Sequence, residues 1–190
     1  MNRTARLAVF LSGNGSNAEE IFRYFERHPT IRVVLVLSNN PDAYGLQRAH
    51  RFNIPVKTFT KSQFRESGEV GQWLKEAAVT HIVLAGFLWL IPQQLIHDYP
   101  HRIINIHPAL LPRFGGKGMY GLKVHEAVKQ SGDQVTGITI HEVDEHYDEG
   151  KVLFQTSCEV KAEDTPEQIA VKVQQLEHQH YPRVIEEWVS

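Results

Sequence analysis

The sequence predicts a doubly wound α/β protein: a mostly parallel, Rossmann-like sheet in the first half, with antiparallel strands added in the second. Three observations predict it. Short apolar runs at residues 7–11, 31–37 and 81–85 alternate with helical patterns, as in a parallel sheet covered on both faces. A Ser-Gly-Asn-Gly-Ser-Asn turn at residues 12–17 joins the first run to the first helix. Residues 135–143 and 151–160 alternate instead and are rich in β-branched side chains, which is the pattern of long antiparallel strands.

Each element has its own signal. Residues 7–11 are a buried strand. Ser16 or Asn17 caps the helix that follows, whose inner face carries Ile21, Phe22 and Phe25. The branched aliphatic run 31–37 is the next strand, 44–52 a helix and 56–59 a short strand. One polar helix reaches to about Ala78, and 81–85 is again a buried strand. Pro92 suits the first turn of a short helix over 92–99, and 102–106 is a strand. Four glycines at 115, 116, 118 and 121 make a flexible loop before a helix at 122–130. Asp164-Thr165-Pro166-Glu167 opens the last helix with a cap, a proline and an acidic residue at the positive end of the dipole. That helix is expected to run to roughly His180, where Pro182 interrupts or kinks it.

A length of 190 residues is enough to bury a core without staples. The formal net charge of -2 leaves no global basic field for a nucleic acid, so an anionic ligand needs a local site. The one cysteine, Cys158, lies in an alternating segment and reads as a structural thiol. No intrachain disulfide and no long apolar run make the cytoplasm the expected compartment, with no membrane partner. The chain has eleven histidines but no tight ligand pattern such as His-Glu-x-x-His, so no metal is expected.

Two segments carry candidate chemistry. The loop Ser12–Asn17 follows a strand and opens a helix, where free N–H groups and close backbone approach favour an anion. It lacks the third glycine of a dinucleotide fingerprint and any Walker lysine, so a mononucleotide-sized group fits it better than NAD. Asn105 and His107 alternate on one face at the carboxyl end of a buried strand, where open α/β sheets bind ligands. An amide can donate to a developing oxyanion and a histidine can move a proton near neutrality. Taken alone, the pair also suits a strand-end turn and a polar rim. Asp148 lies in the acidic stretch 144–150, which by itself reads as a solvated turn.

Ser12-Gly-Asn-Gly-Ser-Asn17, Ser38-Asn39, Ala85-Gly86-Phe87, Asn105-Ile-His-Pro-Ala-Leu-Leu-Pro112, Asp148-Glu-Gly150 and Glu177-His178 stand in this order. Together they resemble the folate-dependent formyltransferase family, and within it the glycinamide ribonucleotide formyltransferases of purine synthesis. The resemblance covers nearly the whole chain. It implies a formyltransferase fold over a single domain, 1–190. The half up to about residue 100 would be phosphate-binding, and the half from about 101 catalytic and folate-binding. It also implies transfer of a formyl group from 10-formyltetrahydrofolate to the primary amine of glycinamide ribonucleotide, without a metal. Gly15, Ser16 and Asn17 would hold the substrate phosphate, and Glu177 would bind the same substrate elsewhere. Leu88, Trp89, Leu90 and Ile91 would line the folate pocket with Asn105, and Arg65 would meet the folate tail. Asn105, His107 and Asp148 would be catalytic, with Asp148 supporting protonated His107. Both partners are small molecules, and the protein would act as a monomer or homodimer.

Two departures stand out. Members of this family often carry an arginine where this chain has Trp89, which can stack on the pteridine or pack. The stretch 113–121 is longer than in some members, and its Lys117 can meet a phosphate or carboxylate. The rival readings are a formyl-folate hydrolase, a methionyl-tRNA formyltransferase, a sugar-nucleotide formyltransferase and a non-catalytic nucleotide-binding module. The first two are expected to need an extra domain.

Overall fold

The computed structural model describes residues 4–190. Its sheet has seven strands in the order β3-β2-β1-β4-β5-β6-β7. The strands are β1 (Ala5–Leu11), β2 (Ile31–Ser38), β3 (Val56–Thr58), β4 (His81–Leu84), β5 (Ile103–His107), β6 (Val135–Glu142) and β7 (Val152–Glu159). Strands β1 to β5 pair in parallel, and β6 and β7 add on antiparallel. The expected fold is therefore the observed one. The chain switches direction between β1 and β4, which opens a crevice at their carboxyl ends, where ligands bind in such sheets.

The helices are α1 (Ser16–Phe25), α2 (Tyr44–Arg51), α3 (Lys61–Arg65), α4 (Glu69–Glu76), α5 (Gln93–Asp98), α6 (Leu122–Ser131) and α7 (Pro166–Val189). They cover both faces of the sheet. Leu7, Val9 and Leu11 of β1 pack with α1 and α7, while Ala8 and Phe10 pack with α3, α4 and α5. Alternation along one strand thus feeds two cores, which is why the first half reads as unbroken apolar runs.

Three local expectations need correction. Neither Ser16 nor Asn17 caps α1. The N-cap is Gly15, in a left-handed conformation at φ 73, and Ser16 is the first helical residue. A Cβ on Gly15 would stand 2.5 Å from the Gly45 Cα, so the loop can lie against α2 only as glycine. The expected single polar helix is two, because Gly68 adopts φ 72 between α3 and α4. The last helix does not stop near His180 but continues through Pro182 to Val189. A proline there removes one helical N–H, yet Pro182 and Tyr181 are buried against the sheet and packing offsets the loss. The Tyr181 hydroxyl donates to the Leu84 carbonyl at 2.8 Å, tying α7 to the end of β4.

Candidate active site

The carboxyl ends of β4 and β5 open into a cavity of about 700 Å³. That volume suits small-molecule ligands. Its walls include Asn17, Gly86 to Ile91, Asn105 to Pro108, Gly116 to Leu122, His125, His141, Val143, His146 to Asp148, Gln174 and Glu177.

Asn105 and His107 lie on one face of β5, as alternation requires, and the antiparallel register sets Asn105 opposite His141 of β6. The His141 Nδ1–H donates to the Glu142 carbonyl at 2.8 Å. Its Nε2 lies 3.2 Å from the Asn105 amide nitrogen. This contact orients the Asn105 side chain and leaves its second N–H uncommitted.

Asp148 is brought to the same place from the loop between β6 and β7. One carboxylate oxygen lies 3.5 Å from His107 Nδ1 and the other 3.5 Å from His141 Nε2. The Gly116 N–H donates to it at 2.9 Å. Gly150 makes the loop's return possible, since a Cβ there would stand 1.8 Å from the Glu142 carbonyl oxygen. Burial would raise the Asp148 pKa. The hydrogen bond from His141, the charge of His107 and the Gly116 N–H outweigh burial and hold it below the ordinary carboxylate range.

The His107 ring is buried, and both of its nitrogens face acceptors. Nε2–H donates to the Phe114 carbonyl at 2.8 Å, and Nδ1 faces Asp148. Only an imidazolium satisfies both. Burial nevertheless lowers the His107 pKa, against the upward pull of Asp148 and the Phe114 carbonyl, with His141 adding to the lowering. Burial thus opposes the support that Asp148 gives to a charged His107.

At the other end of the cavity, Asn17 on α1 and Glu177 on α7 converge. Burial raises the Glu177 carboxyl to about 7, with the Asn17 amide pulling the other way. Asn17 Oδ1 is buried without a hydrogen-bond partner. Ser16 Oγ accepts from Gln174 Nε2 at 3.0 Å, so α1 and α7 are also joined at the rim. Gly15 and Ser16 border this end without being part of the cavity wall. Lys117 is exposed on the glycine loop and borders the cavity.

Leu88 to Ile91 and Val143 supply the apolar part of the wall. Ser12, read from sequence as part of the phosphate loop, serves this wall instead. Its hydroxyl donates to Asn39 Oδ1 at 2.7 Å and accepts from the Leu88 N–H at 3.1 Å. Trp89 both lines the cavity and packs at 6.0 Å on the rings of Phe59 and Phe64. Arg65 ends α3 on the exposed surface and is not part of the wall.

Sequence reasoning missed His141 and His125. Alternation along β6 gives His141 its strand but not its register, so nothing marked it as the partner of Asn105. Among the described residues, no group of three or more His, Cys, Asp or Glu side chains is placed to hold a metal ion. No helix among them is long and apolar enough to cross a membrane.

The formyl transferase family model matches residues 5–185. The chain belongs to the formyl transferase family. Relatives of this formyl transferase include the chloroplastic phosphoribosylglycinamide formyltransferase of Arabidopsis thaliana, 44% identical over 96% of the chain. The chain spans 65% of that plant protein's length. The phosphoribosylglycinamide formyltransferase of Bacillus subtilis is 37% identical, with 96% of this chain and 93% of that protein covered. Among solved structures, glycinamide ribonucleotide transformylase 1 from Geobacillus kaustophilus superposes with a TM-score of 0.89 at 32% identity, over 99% of this chain and 100% of that one.

Proposed function

We propose that this formyl transferase moves a formyl group from 10-formyltetrahydrofolate to the primary amine of glycinamide ribonucleotide, in purine biosynthesis. The observation that carries the reading is the convergence of Asn105, His107 and Asp148 at the strand ends, between an apolar wall and a polar end. The folate ring system would lie along Leu88, Trp89, Leu90 and Ile91. The ribonucleotide would lie toward Gly15, Ser16, Asn17 and Glu177, its phosphate at the amino end of α1. Arg65 would meet the folate tail from the rim.

The chemistry follows from the proton inventory. The amine attacks the formyl carbon, and an oxyanion develops on the formyl oxygen. Between reactants and products the amine nitrogen loses a proton and folate N10 gains one. A neutral imidazole can accept the first and donate the second, so the lowered pKa of His107 suits its task. Asp148 favours a proton on Nδ1 and stabilises the imidazolium while it exists. Nε2, once the Phe114 carbonyl gives way to substrate, exchanges the reaction's proton. The free N–H of Asn105 and the protonated ring both donate to the oxyanion. No covalent intermediate or metal is needed.

The sheet is continuous through both halves of the chain, and each half supplies cavity residues. We therefore read residues 1–190 as one domain with phosphate-binding weighted to the first half and catalysis to the second. A monomer or a homodimer is the assembly we propose. The cytoplasm is the compartment we propose, and the plastid of the plant relative's name is the alternative that cell fractionation would reveal.

The test is to follow folate absorbance with and without glycinamide ribonucleotide. Turnover that requires the ribonucleotide is expected. Equal turnover without it would make the chain a formyl-folate hydrolase, and no turnover would return the non-catalytic reading.

A further inference from the structure

His125 is a buried titratable group that the mechanism above does not use. It lies on α6, just after the glycine loop, between the buried Val124 and Val128. The side chain is only 5% exposed, and Nδ1 is buried with no hydrogen-bond partner. The same ring borders the cavity, so Nε2 is the atom through which it meets a ligand. It is near enough to His107 to feel that residue's charge. His107 marks the reacting centre, and His125 lines the same cavity.

We propose that His125 recognises the amide carbonyl next to the acceptor's reactive amine, donating a hydrogen bond to that oxygen from Nε2. The inference rests on the formyl-transfer reading and names which feature of the acceptor the site measures. Burial, reinforced by the charge of His107, lowers the His125 pKa to about 4 and keeps the ring neutral in physiological buffer. A neutral imidazole has one N–H. On Nδ1 that proton would be a buried donor without an acceptor, a costly arrangement. On Nε2 it points into the cavity. A neutral donor suits a neutral carbonyl better than a phosphate, whose charge would draw a second proton onto the ring. In an α-amino amide the carbonyl carbon is two bonds from the amine nitrogen. An amine held at the His107 centre thus brings its carbonyl to the neighbouring side chain. His125 and His107 divide the work: one reads the acceptor without carrying charge, the other carries the proton.

Three variants test this. His125→Phe fills the space without a donor, His125→Asn offers an amide near the Nδ1 position, and His125→Gln offers one near the Nε2 position. Each is assayed with glycinamide ribonucleotide and with an analogue whose carbonyl is replaced by methylene, and binding is measured in parallel by calorimetry. The Phe and Asn variants should raise the KM and Kd for the ribonucleotide about 10- to 100-fold. The KM for the folate should stay within about twofold, and the Gln variant should recover most of the loss. For the methylene analogue the penalty should vanish. Equal losses for both acceptors, no loss for the ribonucleotide, or a Gln variant no better than Phe would overturn the proposal. If His125→Phe fails to fold, the Asn–Gln comparison decides alone, with thermal melts as the check on folding. Wild-type protein that neither binds nor formylates the ribonucleotide would overturn the functional reading itself, and the role of His125 with it.

Discussion

His107 has an acceptor at each ring nitrogen and a buried environment that resists its charge, so its proton count is the variable that Asp148 adjusts. Asp148→Asn removes the larger upward pull and leaves only the Phe114 carbonyl against burial. The His107 pKa then falls further, and the acid limb of kcat/KM moves to lower pH. The plateau kcat should drop about 10²- to 10⁴-fold with the lost support for the imidazolium. A pH–rate profile with an unmoved acid limb would remove Asp148 from this role. His107→Ala should lower kcat by a similar factor with little change in ribonucleotide Kd, which single-turnover kinetics and calorimetry separate. Glu177 gives a stability prediction of defined sign. Its carboxyl titrates near 7 in the folded chain and near the ordinary carboxylate value when unfolded. The folded state therefore holds the extra proton between those values, and stability falls as pH rises through that window. Glu177→Gln should abolish this fall, gaining roughly 1–3 kcal/mol at pH 8 over the parent in urea melts.

At the scale of elements, what sequence could foresee depended on whether the signal was local. Thr165 is a local signal. Its hydroxyl accepts from the Gln168 N–H and the Gln168 side chain returns to the Thr165 N–H, closing a capping box around Pro166. Thr165→Ala should cost about 1 kcal/mol in chemical denaturation. Thr60→Ala, which opens the same box on the five-residue, surface helix α3, should cost less. The break at Gly68 was legible in Ser67-Gly68, which the reading of one polar helix passed over. Asn105 and His107 were visible because alternation is a property of one strand. His141 was not, because the pairing that sets it against Asn105 is a register between strands, which no single segment encodes. Asp148 was reached only through family resemblance, since the fold of its loop, with φ 58 at Asp148 itself, is what turns an acidic turn inward.

For the whole molecule, α7 is the strap. It begins beside β7 and crosses the back of the sheet. Tyr181 then places its hydroxyl on the Leu84 carbonyl, within 3.4 Å of the Ile104 carbonyl. Residues nearly a hundred positions apart thus meet directly beneath the cavity. Tyr181→Phe leaves a buried carbonyl short of a donor and should cost about 1–3 kcal/mol. Because this contact joins the two halves, near-UV dichroism, far-UV dichroism and activity should all be lost in one transition for parent and variant alike. Separate transitions for the two halves would contradict the single-domain reading. Pro182 shows why the end of α7 was misjudged from sequence: a helix breaker is outweighed when its neighbours, Tyr181, Val184 and Ile185, are all buried.

The contact between Gly15 and Gly45 also restricts which sequences this loop can tolerate, and it does so unevenly. A methyl group on residue 15 would strike main chain, the Gly45 Cα at 2.5 Å, in a backbone conformation already unsuited to L-residues. A methyl group on residue 45 would strike first the ends of a side chain, the Leu11 methyls at 2.6 and 2.8 Å. A library randomised at positions 11, 15 and 45 should therefore return only glycine at 15. At 45 it should admit alanine, always in company with a smaller residue at 11. Position 45 on α2 would then be free to vary only through a strand residue outside the cavity wall.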